Sequence, residues 1–137
     1  MLSKKTQYAL QALGYMAAKN SEEPTLIAEI SAEKHIPLKF LENILLELKR
    51  AGFLNSKKGK HGGYFFAQSP NKIKLASIFR TIEGPIALLP CVSLNFYQKC
   101  DDCNEKKCGI NRVMVEVRDN TLAVLDKRTV ADLANLK

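Results

Sequence analysis

The hydrophobic period of this chain changes once in its first half, and the change falls at a single glycine. Before it, Leu38, Leu41, Ile44, Leu45 and Leu48 recur at helical spacing. Pro37 is placed for the first helical turn, where a missing N–H costs nothing. Ala51-Gly52 then ends the helix, because glycine accepts the left-handed conformation just past a helix terminus. After it, Phe53-Leu54-Asn55-Ser56 and Tyr64-Phe65-Phe66-Ala67 read as short strands flanking Lys57-Lys58-Gly59-Lys60-His61-Gly62-Gly63. Two short strands around a glycine-rich, basic turn make a β-hairpin.

The flanking segments are helical. Ser3 to about Lys19 carries Tyr8, Leu10, Leu13 and Met16 along one stripe, with Gln7 and Gln11 on another side. That stripe separates it from the continuous apolar run of a secretion signal, so the chain reads as cytoplasmic. Thr25 can cap a second helix that runs to about Lys34, and His35-Ile36 links it to the third. Leu75 to Ile82 fits a short helix ended by Glu83-Gly84-Pro85. From Gly109 to Lys127, Ile110, Val113, Met114, Val117, Thr121, Val124 and Leu125 form one apolar side, and Val115 and Leu122 lie on a second. A helix with two apolar sides wants two packing partners: its own domain and, for the side with Val115 and Leu122, a second subunit. Thr129, with Val130, Leu133 and Leu136 beyond it, starts a last short helical piece.

With 137 residues, 46% hydrophobic and 26% charged, the chain suits one globular core, and no apolar run is long enough to span a membrane. The net charge of +7 is unevenly placed. Residues 1–75 hold 12 basic and 6 acidic side chains, against 9 and 8 beyond. A basic first half points to a polyanion, with nucleic acid ahead of a membrane surface.

Helix, helix, turn, helix and basic hairpin, in that order, are the elements of a winged helix-turn-helix. The expected fold is mainly α with a small β-hairpin, followed by a long C-terminal dimerisation helix. Residues 1–83 form the DNA-binding domain, 84–108 a cysteine-rich sensor loop, and 109–137 the dimerisation helix with its tail helix. A helix entering the major groove by its N-terminal end offers partial positive charge to phosphate and side chains to base edges. Pro37, Leu38, Lys39, Glu42 and Asn43 occupy that end. Lys39 can reach phosphate or guanine, Asn43 can pair with adenine, and Glu42 can accept from cytosine. Lys57, Lys58, Lys60 and His61 at the hairpin tip suit phosphate. Phe40, Phe53, Tyr64 and Phe66 read as core.

Four cysteines, Cys91, Cys100, Cys103 and Cys108, fall within 18 residues of a segment without clear period, and Cys100 to Cys108 is polar. A polar loop of this kind buries little apolar surface, so another agent should order it. Thiolates suit iron–sulfur clusters and zinc, and the spacing does not separate them; free thiols or a redox disulfide remain a third reading. Nothing in the sequence resembles a Ser/His/Asp set, a phosphate-cradling glycine loop or a zinc-protease helix, so the chain is not read as an enzyme.

Several stretches together resemble the Rrf family of winged-helix transcription regulators. They are Thr6–Leu13, Ile36–Leu45, Leu48–Leu54, the wing Lys58–Tyr64 and the terminal Thr129–Leu133. The resemblance implies a homodimer on double-stranded DNA, with a palindromic operator. Some members of the family carry an iron–sulfur cluster in the loop before the long helix, and with that the thiol reading becomes a cluster (2Fe-2S or 4Fe-4S) on Cys91, Cys100, Cys103 and Cys108, with zinc as the alternative. Two departures stand out. The wing carries Lys58 where the family usually has Arg, which loses bidentate guanine contact. The cysteines are spaced by eight, two and four residues instead of by five. The places where relatives recruit a non-cysteine ligand correspond to Asn111 and Gln7, which are poor ligands. The additional cysteine can complete a four-thiolate set within one chain, with Asp101 or Asp102 as substitutes for Cys103.

Overall fold

A computed structural model describes residues 2–101 and 103–134, and Leu136 lies outside them. The elements run α1 (Lys4–Lys19), α2 (Ile27–Lys34), α3 (Leu38–Arg50), β1 (Leu54–Lys57), β2 (Gly63–Phe66), α4 (Leu75–Ile82), α5 (Gly109–Leu125) and α6 (Val130–Ala134). Single 3-10 turns lie at Pro70–Lys72, Pro90–Val92 and Glu105–Lys107. β1 and β2 pair antiparallel, with Leu54 opposite Phe66 and Lys57 opposite Gly63. The mainly helical architecture with one hairpin matches the expectation from sequence.

The core forms where the helical stripes converge. Ala9, Ala12, Leu13 and Met16 of α1 meet Ile30 of α2, Leu41, Ile44, Leu45 and Leu48 of α3, and Leu75, Ile78 and Ile82 of α4. Leu13, Leu41, Leu45 and Leu48 are fully buried, each contributing about 1.5–3 kcal/mol of apolar transfer. Ser3 caps α1, its hydroxyl accepting from Thr6 N. His35 ends α2 in the left-handed conformation, its N–H donating to the Ser31 carbonyl. A polar staple also joins α1 to α2. Tyr15 Oη donates to Glu29 Oε2 at 2.6 Å, and Lys19 Nζ donates to both carboxylate oxygens. The Glu29 carboxylate holds the Tyr15 hydroxyl protonated up to about 12, while Lys19 and then Tyr15 hold the Glu29 carboxyl low.

The chain end returns to this core. Leu75 N donates to the Arg128 carbonyl and Val130 N to the Ile73 carbonyl, both at 2.9 Å, and Val130 is fully buried. Thr129 N donates to Asp132 Oδ2, capping α6. The tail helix, grouped with α5 in the sequence, packs on α1 beside Gly14, where an added Cβ would stand 3.3 Å from Leu133 Cβ.

α5 turns inward the side expected to meet a second subunit, together with Met114 and Leu125 from the edge of the other. Leu122 is 8% exposed and Val115 is partly buried, so this side faces its own domain. The solvent side is Ile110, Val113, Val117 and Val124, at 64, 52, 37 and 57% exposure. Spacing alone shows two apolar sides without saying which meets the domain; the path of the 84–108 segment decides that.

Candidate nucleic-acid interface and cysteine site

α3 starts at Leu38, with Pro37 as its extended flanking residue. The Pro37 carbonyl accepts from Leu41 N at 2.9 Å. Proline therefore sits one position earlier than anticipated, still where no N–H is required. Four inward residues fix the rotation of the helix and leave Pro37, Leu38, Lys39 and Asn43 exposed, with the Lys39 side chain 90% exposed. Glu42 is partly covered, with a carboxylate oxygen 3.7 Å from Lys39 Nζ. Phe40 is a correction to the expected core. It is 40% exposed and meets only the edge of α1, with Tyr8 at 5.6 Å in an edge-on pair. Phe53 is buried as expected; Tyr64 and Phe66 are half-buried at the wing base.

Thr25 does not cap α2, which begins at Ile27 without a side-chain cap. It joins the wing instead. Thr25 N donates to the Tyr64 carbonyl at 2.8 Å, and Tyr64 N donates back at 2.9 Å. The hairpin is thereby pinned to the start of the helix-turn-helix, and Thr25 is 4% exposed. The approach needs glycine at 63: φ is +137°, and a Cβ there would fall 2.3 Å from the Thr25 carbonyl oxygen. Beyond this joint, Lys57, Lys58, Lys60 and His61 are exposed, and none meets an acidic partner among the described residues. Burial, and then the Glu42 charge, push the Tyr64 hydroxyl above its ordinary value, which marks how near the wing base comes to α3.

The four cysteines line one cavity of about 410 Å³, together with Leu89, Pro90, Ile110 and others. All are free thiols. Cys91 lies in the Pro90–Val92 turn, and Cys108 caps α5. Burial pushes the Cys103 thiol up, and Cys100 and Cys108 beside it add to the effect. Tyr97 Oη donates to the Glu105 carboxylate, closing the 97–105 segment on itself and holding the phenol protonated above its ordinary range. Among the described residues, no three metal-ligating side chains are drawn close enough to hold an ion. Asp101 lines the cavity; Asp102 lies outside the described residues. The donor set fits a thiophilic group nonetheless. Four sulfurs share one largely apolar cavity beside the N-terminus of α5, and soft sulfur donors suit iron and zinc.

Sequence reasoning missed Arg118 altogether and weighed Asn111 only as a ligand. Arg118 Nη1 donates to the Val92 carbonyl at 2.9 Å, and its side chain is 15% exposed. Asn111 Nδ2 donates to Cys91 Sγ, and Asn111 N donates to Cys108 Sγ, both at 3.4 Å. Their seven-residue spacing places both on one helical face, a signal legible only once the facing turn is known. Gln7 spends its amide on the Leu2 carbonyl at 3.0 Å.

A family model for Rrf2, described as an iron-dependent transcriptional regulator, matches residues 2–136. The chain is 39% identical over 137 residues to an rrf2-like HTH-type transcriptional regulator of Rhodobacter capsulatus, covering 97% of this chain and 91% of the relative. It is 31% identical over 133 residues to the HTH-type transcriptional regulator NsrR of Geobacillus kaustophilus, covering 96% and 88%. Among solved structures, CymR, the global cysteine regulator of B. subtilis, superposes with a TM-score of 0.81 at 29% identity, covering 98% and 96% of the two chains. T. potens IscR superposes at 0.76 and 27% identity, covering 98% and 86%. These relatives are regulators, not enzymes. With its winged helix complete and a family model spanning nearly its whole length, the chain belongs to the Rrf2 family of helix-turn-helix transcriptional regulators.

Proposed function

We propose that the chain is a sequence-specific DNA-binding regulator whose operator affinity is set by an iron–sulfur cluster on Cys91, Cys100, Cys103 and Cys108. The observation that carries the reading is the convergence of all four cysteines on one cavity formed by the 89–108 segment and the start of α5. The cluster, when bound, supplies an iron centre open to redox change, iron supply or nitric oxide. The chain's own residues do the rest. Pro37, Leu38, Lys39, Glu42 and Asn43 meet the major groove, and Lys57, Lys58, Lys60 and His61 meet the flanking backbone. The protein acts as a homodimer on a palindromic operator, because one winged helix reads too few base pairs for useful specificity. The units are the winged helix of residues 1–83, the sensor loop 84–108, and the dimerising segment 109–137. A cysteine site between reading head and α5 changes the relative pose of two heads, to which a palindrome is sensitive.

A second reading keeps the fold and the DNA contacts but replaces the cluster with zinc or with free thiols. It is favoured by one observation: the thiols share the cavity without closing on a common point. Anaerobic purification with iron, sulfide and zinc analysis separates the two, followed by selection of genomic fragments by the loaded and metal-free forms. Iron and sulfide with visible absorbance, and operator affinity that differs between the forms, are the expected result. Bound zinc in a colourless protein, or equal affinity of both forms, overturns the sensor.

A further inference from the structure

Asn111 carries an amide, which is a poor metal ligand, and it lies against the cysteines. Its geometry gives it another task. One residue reaches the first and the last cysteine of the set at once, with its side-chain Nδ2 on Cys91 Sγ and its backbone N on Cys108 Sγ, each at 3.4 Å. These sulfurs are seventeen positions apart in the chain and lie on different segments. Both donors come from the first turn of α5, whose free N–H groups already point at Cys108. Two helical turns further on, Arg118 donates to the Val92 carbonyl from the same face of α5. The Pro90–Val92 turn is therefore gripped at two points, the Cys91 sulfur and the Val92 carbonyl, and both grips belong to the helix whose outer face is apolar and exposed.

We propose that Asn111 is the positioning residue of the cysteine site: it donates to two sulfurs instead of ligating, and with Arg118 it locks the Cys91 turn in register with α5. This rests on the cluster reading for its redox consequence, but not for the lock itself. An N–H donor to a cluster thiolate stabilises the more negative, reduced state, so its removal makes the midpoint potential more negative. The lock makes any movement of the Cys91 turn a movement of α5, which is the physical link a sensor loop requires.

Two measurements test this on the full-length protein. In the metal-free form, hydrogen exchange is followed at the Val92 and Ser93 amides, which donate to the Leu89 and Pro90 carbonyls. Asn111→Ala and Arg118→Ala should each speed exchange there several-fold, with the Leu13 and Leu45 amides in the core unchanged. Unchanged exchange at 92–93 overturns the lock. In the anaerobically loaded form, Asn111→Ala should keep the visible spectrum and iron content of wild type while its midpoint potential moves to a more negative value. Loss of iron with a changed spectrum identifies Asn111 as a ligand and overturns the donor role, as does an unmoved potential. If wild type binds no iron, the cluster reading fails by itself, and the exchange measurement still decides the lock.

Discussion

Glu83 shows what one side chain at the end of α4 does for the whole amino-terminal half. Its carboxylate accepts from Ser3 N at 3.1 Å, Ser3 Oγ at 2.6 Å and Thr6 Oγ1 at 2.7 Å. It thus ties the first turn of α1 to the exit of the winged helix, and a negative group at a helix N-terminus is favourable in its own right. Donation from Ser3, then Thr6, holds the Glu83 carboxyl below its usual 4.5. A folded-state value below the unfolded one means that this stabilisation is complete above the ordinary carboxylate range. It is lost as pH falls through the lower, folded value. Glu83→Gln should cost about 1 kcal/mol near neutral pH, below the usual range for charge-assisted hydrogen bonds because solvent screens a partly exposed group. Thermal melts of wild type and variant at pH 7 and below pH 4 check this: the gap between them should narrow as the solution is acidified. A gap that stays constant with pH removes the carboxylate's part.

At the scale of the element, the wing depends on one joint and a basic tip. Gly63→Ala combines the strain of a positive φ with a clash on the Thr25 carbonyl, and should cost about 1–3 kcal/mol. Because the Thr25–Tyr64 bridge orients the hairpin against the helix-turn-helix, DNA affinity should fall even where the folded state survives. Circular dichroism and a binding titration on the same sample separate the two effects. Replacing Lys57, Lys58 and Lys60 together by Ala acts differently. All three are exposed, so stability should stay within about 0.5 kcal/mol of wild type. Binding to any duplex should weaken, and the slope of log K against log salt should flatten by about 0.9 per lost phosphate contact. An unchanged slope would place the wing away from the DNA backbone. Asn43→Ala, by contrast, should alter which sequences are selected.

For the whole molecule, the exposed apolar row of α5 sets the expectation. Val113 and Val117 lie one turn apart on it, and Val113→Asp with Val117→Asp should leave the helical content unchanged while sedimentation shows a monomer. Specific DNA affinity should then fall about 100-fold or more, since two linked half-sites gain by effective concentration. A wild-type monomer at micromolar concentration would sink the dimer.

Much of this protein was determined by its sequence alone. The helical stripes, the change of period at Gly52 (φ +91°), the basic hairpin and the 75–82 helix follow from local conformational preference and periodicity, which need no knowledge of neighbours. The four cysteines were legible as one set because they fall within one short segment without regular period. Three matters were decided only by tertiary structure. Thr25 had two uses for its surroundings, cap or strand, and the nearness of Tyr64 chose the strand. Val115 and Leu122 turned inward because the fold, not the spacing, determines which apolar side of α5 is covered. Asn111 and Arg118 gained their roles from the Pro90–Val92 turn, which lies many residues away in sequence. A pattern along one element records that a face is apolar or that a donor exists. It does not record what stands opposite, because that contact is made by a segment brought near only when the chain folds.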